Sequence, residues 1–247
     1  MEPMADTRKL VETVVEGSTA VVQLDNPPVN ALTPALFAEL AETRSIVAAS
    51  AVRVVIVTGV RRVFSVGGDL GAIAKFPSAG EAESQARTGR TLLDDLFGTP
   101  KPFIAAVNGL CLGGGLEIAL ACHLRVCGTR ARFGFPELSL GFVPGLGGVG
   151  RLAALVGRAK ALEMILSGQT IDAAEAHRIG LVNRCVAPDR VLEEAHRLAA
   201  AIARAEPAAA LAALELVDGA DAEREAKLFA SLVSRPLVKK KLLDLLQ

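Results

Sequence analysis

Two glycine-bearing turns and two glutamates are the parts of this chain best suited to chemistry. FSVGGD (Phe64–Asp69) and LGGGLE (Leu112–Glu117) each follow an apolar run that reads as a buried strand, and the second leads straight into a helix. The first N–H groups of a helix lack intrahelical acceptors and carry a partial positive charge, which suits a developing anion. Glycine lets the backbone approach a ligand closely and adopt φ values that other residues resist. If the turns converge, the N–H groups of Gly68 and Gly114 could point at one oxygen. Such an oxyanion hole contributes about 3 kcal/mol per donor to a transition state. Taken alone, either turn is better read as tight strand-to-helix packing.

The carboxylates shift that balance. Glu117 lies in the first turn of its helix among Leu116, Ile118, Ala119, Leu120 and Ala121, so burial should raise its pKa unless a partner is present. Glu137 lies in the apolar stretch FGFPELSLG with no cation near it in sequence. Two carboxylates in apolar settings near a candidate anion hole suit paired acid–base work. The plainer alternatives are that Glu117 complements the helix dipole and that Glu137 is an exposed loop residue.

One motif is set aside. GLGGVG (Gly145–Gly150) matches G-x-G-x-x-G, but a dinucleotide fingerprint needs a strand directly before it, and here a proline-bearing loop precedes. No G-x-S-x-G occurs, so an α/β-hydrolase nucleophile is excluded. The chain has no Trp and no Tyr, which removes any tyrosine acid or base. Of its three histidines, His177 and His196 lie in charged helical patterns and read as surface residues.

Composition excludes further classes. Lys plus Arg balance Asp plus Glu at 27 each, so no basic field exists to hold nucleic acid. Cys111, Cys122, Cys127 and Cys185 form no C-x-x-C pair and read as reduced core thiols, with no metal site expected. The start, MEPMADTRKL, lacks the apolar stretch of a signal peptide, and Pro102–Leu116 is too short and glycine-rich to span a bilayer. A cytoplasmic protein without membrane association is the expectation.

The elements that must position these residues alternate. Residues 11–24 read as two short strands, NPPVN (Asn26–Asn30) as a loop, and Thr33-Pro34 as the cap and first position of a helix to about Ala49. Val52–Gly59 and Pro102–Gly109 read as strands buried on both faces, and Glu81–Phe97 as a helix. RRVFSVGGDL reads as a tight loop, Leu116–His123 as an apolar helix, LRVCGT as a strand, and Phe133–Gly150 as irregular. After Arg151 the pattern is helical, with starts at Ile171-Asp172 and Pro188-Asp189. An α/β core over 1–187 and a helical region over 188–247 follow. The amphipathic tail SRPLVKKKLLDLLQ is too short to be stable alone and is expected to dock on the body or on a neighbouring subunit.

At these residues the sequence resembles the enoyl-CoA hydratase/isomerase (crotonase) family over nearly its whole length. The matching pieces are LDNPPVNAL, FSVGGDL, AAVNGLCLGGGLEIALAC, FGFPELSLGFVPGLGGVGRL and AKALEMILSGQTIDAAEAHRIGLVNRCV, in the family's order and spacing. The resemblance implies an α/β crotonase fold (ClpP/crotonase-like), a spiral of ββα units followed by a helical trimerisation region, assembled as a homotrimer or dimer of trimers. It implies Gly68 and Gly114 as oxyanion donors, with Gly67, Asp69, Leu70 and Gly113 beside the bound thioester. It also implies reversible syn hydration of a 2-enoyl thioester. Glu117 would act as base on the attacking water and Glu137 would deliver a proton to Cα. No cofactor is implied beyond the CoA or phosphopantetheine of the substrate, in fatty acid metabolism or polyketide biosynthesis.

Alternatives of the same fold are an enoyl-CoA isomerase, a decarboxylase, or a dehydratase acting on acyl-carrier-protein substrates. Non-catalytic thioester binding is a fourth, disfavoured by retention of both glutamates. The chain departs from the family in several places, among them the lack of a lysine in NPPVN and a shorter tail without the family's acidic–glycine stretch. His123 replaces an aspartate. Gly71 stands where a lysine usually meets the CoA phosphates, leaving Lys75, Lys101 or Lys239–Lys241 as substitutes. Gly68 occupies a position often held by alanine. Gly71–Thr99 and the neighbourhood of Phe135 are expected to line the acyl pocket, with Phe76, Phe97 and Phe135 as walls or core.

Overall fold

The computed structural model describes residues 8–217, 219 and 221–246. Residues 1–7, read above as lacking a signal peptide, and the last tail residue lie outside the described residues. The chain divides after Ala200 into two compact units.

The first unit is built on a six-stranded sheet in the order Val11–Glu16, Thr19–Leu24, Val54–Gly59, Phe103–Val107, Leu124–Gly128, Arg184–Val186. The first pair is antiparallel and every later pairing is parallel. Val54–Gly59 and Phe103–Val107 are buried at every residue, which is why they read as unbroken apolar runs.

A second sheet runs alongside. Val63–Ser65, Leu110–Leu112 and Arg132–Gly134 are parallel neighbours in it, and Ile171–Asp172 closes one edge antiparallel. Each strand in the middle of the large sheet is thus followed by a short strand of the second sheet and then a helical segment. Val54–Gly59 leads to Val63–Ser65 and Ala79–Phe97; Phe103–Val107 leads to Leu110–Leu112 and Gly114–Ala121; Leu124–Gly128 leads to Arg132–Gly134 and Pro136–Leu140. These are the turns of the expected crotonase spiral, each displaced from the last by one strand spacing of about 4.8 Å.

That displacement fixes the site. Cys111 pairs with Ser65 on one side and Phe133 on the other, and Leu112 pairs with Gly134. The ends of the three short strands are therefore level, and the segments that follow them lie side by side. Those segments carry Gly67 and Gly68, Gly113 and Gly114, and Glu137.

Several boundaries differ from expectation. RRVFSVGGDL is no simple loop: it holds strands Val63–Ser65 and Gly67–Gly68 and the short helix Leu70–Ile73. Strands of two or three residues are too short to display alternation, so pattern reading passes over them. For the same reason Phe133–Gly150 hides the end of a strand and the 3₁₀ turn Pro136–Leu140. The glycine-led helix runs Gly114–Ala121, two residues earlier at each end than read, which puts Gly114 at its first position and His123 beyond it. Thr33 caps Pro34–Ala48 as expected, its Oγ1 accepting the Leu36 N–H at 3.2 Å.

All four cysteines are free thiols; Cys111, Cys122 and Cys127 are buried. His177 is exposed and His196 half-buried near Glu16. Phe97 and Phe135 belong to the core, and Phe76 is half-buried. Among the described residues no helix is long and apolar enough to cross a membrane, and no cluster of three or more His, Cys, Asp or Glu could hold a metal.

The second unit contains helices Pro207–Val217, Ala222–Val233 and Pro236–Asp244. Asp221 caps the middle one through the Arg224 N–H at 2.8 Å, and Arg235 pairs with Glu206 at 2.9 Å.

His123 has a structural role. Its N–H donates to the Phe103 carbonyl at 3.1 Å, and its Nδ1 accepts the Phe103 N–H at 3.0 Å. The ring thereby continues the ladder at the entry of a central strand, a task within reach of an aspartate carboxylate. His123→Ala, which orphans a part-buried N–H, should lower stability by about 1–2 kcal/mol in denaturant titration. His123→Asp should lose clearly less; equal losses would show that the acceptor is not what matters.

Candidate active site

The two glycine turns touch. A Cβ placed on Gly67 would sit 2.7 Å from the Gly114 nitrogen and 3.0 Å from the Leu112 carbonyl oxygen. Gly67 has φ +94° and Gly113 φ +51°, so both positions call for glycine by conformation as well as by space. Gly113 donates its own N–H to the Gly134 carbonyl at 3.0 Å, while its carbonyl accepts the Glu117 N–H at 3.0 Å as the first bond of the helix. Helix geometry gives the Gly114 N–H no acceptor within the helix.

Gly68 lies under the short helix Leu70–Ile73, and a Cβ added to it would meet the Ile73 Cδ1 at 2.9 Å. Alanine at this position therefore requires Ile73 to move. Asp69 caps that helix, accepting the Gly71 and Ala72 N–H groups at 2.8 and 3.2 Å, and Leu70 is exposed.

The carboxylates converge on the same place. A Cβ on Gly113 would lie 2.5 Å from the Glu137 Oε1, so Glu137 stands over the turn that carries Gly114. It is 6% exposed, not the open loop residue of the plainer reading, and its Oε2 is buried without a hydrogen-bond partner. Burial first, and then the nearby Glu117 charge, push the Glu137 carboxyl up to about 7.

Glu117 is 2% exposed but well partnered. Its Oε1 accepts the Leu146 N–H at 2.7 Å and the Gly148 N–H at 2.8 Å. Burial raises its pKa, and the donated N–H groups together with the Arg151 charge oppose the rise. Arg151 is itself held by the Leu146 carbonyl at 2.8 Å and by Asp94. The two interacting carboxylates thus have different surroundings: Glu117 is held by several backbone N–H groups and faces the Arg151 charge, while Glu137 has its own backbone N–H and a second oxygen without a partner.

The sequence reading missed two parts of this arrangement. The segment Gly145–Gly148, which matches a nucleotide fingerprint without a strand before it, supplies the Leu146 and Gly148 N–H groups that hold Glu117. Asking where the N–H groups of so glycine-rich a loop go could have revealed this. Arg125, 4% exposed, was also unforeseen. It donates to the carbonyls of Ala119, Cys122 and Leu181 at 3.2, 2.7 and 2.7 Å, capping the far end of the Gly114–Ala121 helix. Nothing in the sequence pattern distinguishes it from a surface arginine.

Lys101, considered as a phosphate contact, is engaged elsewhere: its Nζ donates to the Ala49 carbonyl at 3.1 Å and to the Val52 carbonyl. A surface cleft of about 460 Å³ between Pro34–Ala48 and Ala79–Phe97, lined by Arg44 and Arg87 among others, includes neither glutamate and neither glycine turn.

The sequence profile described as enoyl-CoA hydratase/isomerase matches residues 15–233. The chain belongs to the enoyl-CoA hydratase/isomerase family. It is 39% identical over 209 residues to a probable enoyl-CoA hydratase of Bacillus subtilis (strain 168), covering 84% of this chain and 81% of the relative. A probable enoyl-CoA hydratase of Rhizobium meliloti (strain 1021) is 40% identical over 221 residues, covering 85% and 80%. The crystal structure of enoyl-CoA hydratase from Bacillus anthracis superposes with a TM-score of 0.87 at 30% identity, over 92% of each chain. The fold is the crotonase fold, and the chain is an enoyl-CoA hydratase-like enzyme.

The Glu137 environment has a measurable cost. Its carboxyl titrates near 7 in the folded chain against 4.5 for an ordinary glutamate, so the folded state holds the proton more tightly. Stability from this group is complete below pH 4.5 and is lost as pH rises through about 7. Glu137→Gln should therefore be more stable than the wild type at pH 8, by about 3 kcal/mol, and nearly equal to it at pH 4. A variant less stable at pH 8, by chemical denaturation, would contradict a strained carboxylate.

Proposed function

We propose that this enzyme catalyses reversible syn addition of water to a 2-enoyl-CoA. The observation that carries the reading is the buried Glu137 carboxyl, lacking a partner for Oε2 and standing beside the turn that bears Gly114. A carboxyl so placed is protonated below neutrality, and about half protonated near it, so it has a proton to give.

In the proposed reaction the thioester oxygen lies between the N–H groups of Gly68 and Gly114. Glu117, oriented by the Leu146 and Gly148 N–H groups, takes one proton from water as the oxygen bonds to Cβ. The electron pair of the double bond moves to Cα and the thioester, giving an enolate whose charge the two amides hold. Glu137 then delivers its proton to Cα on the same face. Glu117 ends protonated and Glu137 ionised, and proton exchange with solvent restores both.

Isomerisation between 2- and 3-enoyl thioesters needs only one base and leaves a second buried carboxylate without a task. The pair therefore favours hydration. The same reading carries a cytoplasmic enzyme of fatty acid metabolism, working as a homotrimer or a dimer of trimers. With Gly71 in the usual lysine position and Lys101 engaged, Lys75 and Lys239–Lys241 are the candidate lysines left to meet the CoA phosphates.

Purified enzyme should bleach the conjugated enone absorbance of crotonyl-CoA by adding water. Turnover of a 3-enoyl thioester without any bleaching would overturn hydration in favour of isomerisation. Glu137→Gln should lower kcat by about a hundredfold or more with little change in KM. Because Glu137 acts as the acid, kcat/KM should fall about tenfold per pH unit above an apparent pKa near 7. A profile still flat at pH 9 would remove Glu137 from the acid role.

A further inference from the structure

Ser65 joins both donor-bearing segments from beneath. It is fully buried. Its Oγ donates to the Asn30 carbonyl at 2.7 Å and accepts the Gly67 N–H at 3.1 Å. A Cβ on Gly115 would come within 2.3 Å of the Ser65 carbonyl oxygen and 2.8 Å of its Cβ, so Ser65 also forms the bed of the helix that starts at Gly114.

Asn30 anchors this contact in turn. It is 1% exposed and sits in the left-handed region at φ +52°. Its Nδ2 donates to the carbonyls of Val63 and Phe64, both at 3.1 Å, and its Oδ1 accepts the Asn26 N–H at 2.9 Å. The Val66 N–H completes the clamp on the Val29 carbonyl at 3.2 Å. The loop Asn26–Asn30 thus holds the Val63–Gly67 segment through backbone groups on both sides of Ser65. A non-glycine residue held at positive φ indicates that its surroundings over-determine its conformation.

We propose that Ser65, braced by Asn30, is a positioning residue for the oxyanion hole. By pinning the Gly67 N–H inward while supporting the Gly114 helix, it sets the spacing and aim of the Gly68 and Gly114 donors. Ser65 touches no reacting atom. Its effect is geometric, and a displacement of about 1 Å in such a site can cost about a hundredfold in rate. The inference rests on the assignment of Gly68 and Gly114 as the oxyanion donors.

Ser65→Ala and Ser65→Cys separate positioning from mere packing. Cysteine nearly preserves shape but is a weak donor and a weak acceptor. Three readouts are needed: the melting midpoint, kcat and KM for crotonyl-CoA, and the ultraviolet band of the enolate formed when acetoacetyl-CoA binds. The expected result is a ten- to hundredfold loss of kcat for each variant, KM within about threefold, and loss of the enolate band at saturating ligand. Ser65→Cys, which leaves no cavity, carries the test if the alanine variant does not fold. A folded variant with wild-type kcat overturns the proposal. So does a destabilised variant that keeps the full enolate band. Should the wild type hydrate no 2-enoyl thioester, the proposed reaction fails separately. An enolate band present in the wild type and lost in the variants would still sustain positioning by Ser65.

Discussion

Everything in the catalytic region depends on the parallel pairing of three short strands whose ends are level. Ser65, Cys111 and Phe133 lie in register across the second sheet, and Leu112 and Gly134 pair at the next step. The backbone leaving each strand therefore enters the same small volume. Gly67 can press against the Gly114 nitrogen only because neither residue has a side chain between them. Glu137 stands over Gly113 because the third strand ends at the same level. A one-residue slip of any of these strands would invert which side chains face inward and would part the turns.

Charge is managed asymmetrically within that volume. Glu117 receives two backbone N–H groups and lies within the influence of Arg151, while Glu137 has a buried oxygen with no partner. Burial raises both carboxyls, and the N–H groups and guanidinium around Glu117 oppose that rise more fully than the surroundings of Glu137 do. The helix between the turns is held at both ends by opposite means. Glycine keeps its N-terminal amides open, and the Arg125 guanidinium closes on its last carbonyls. Arg125 is paired with carbonyl dipoles rather than with a carboxylate, which places a positive charge at the negative end of the helix without neutralising it.

The long elements and the chemistry-bearing residue types were legible in the sequence, because burial on both faces of Val54–Gly59 and Phe103–Val107 leaves an unbroken apolar run. The short strands that align the site were not. Val63–Ser65, Leu110–Leu112 and Arg132–Gly134 have three residues each, and their pairing is a property of the spiral rather than of local pattern. The bonds that refine the site were also hidden, since Ser65, Asn30 and the N–H groups of Leu146 and Gly148 act through partners 29 to 35 residues away in the chain. His123 was visible as a departure from the family. Its role depends on Phe103, 20 residues away in the chain, whose N–H it accepts.

The proposed reaction requires one thioester oxygen held by two amides with the Glu137 carboxyl above the adjacent carbon. A crystal structure with acetoacetyl-CoA bound measures this directly. The thioester oxygen is expected about 3 Å from both the Gly68 and the Gly114 nitrogens, with the Glu137 carboxyl next to Cα. An oxygen bonded to neither amide, or a Glu137 carboxyl turned away from Cα, would contradict it.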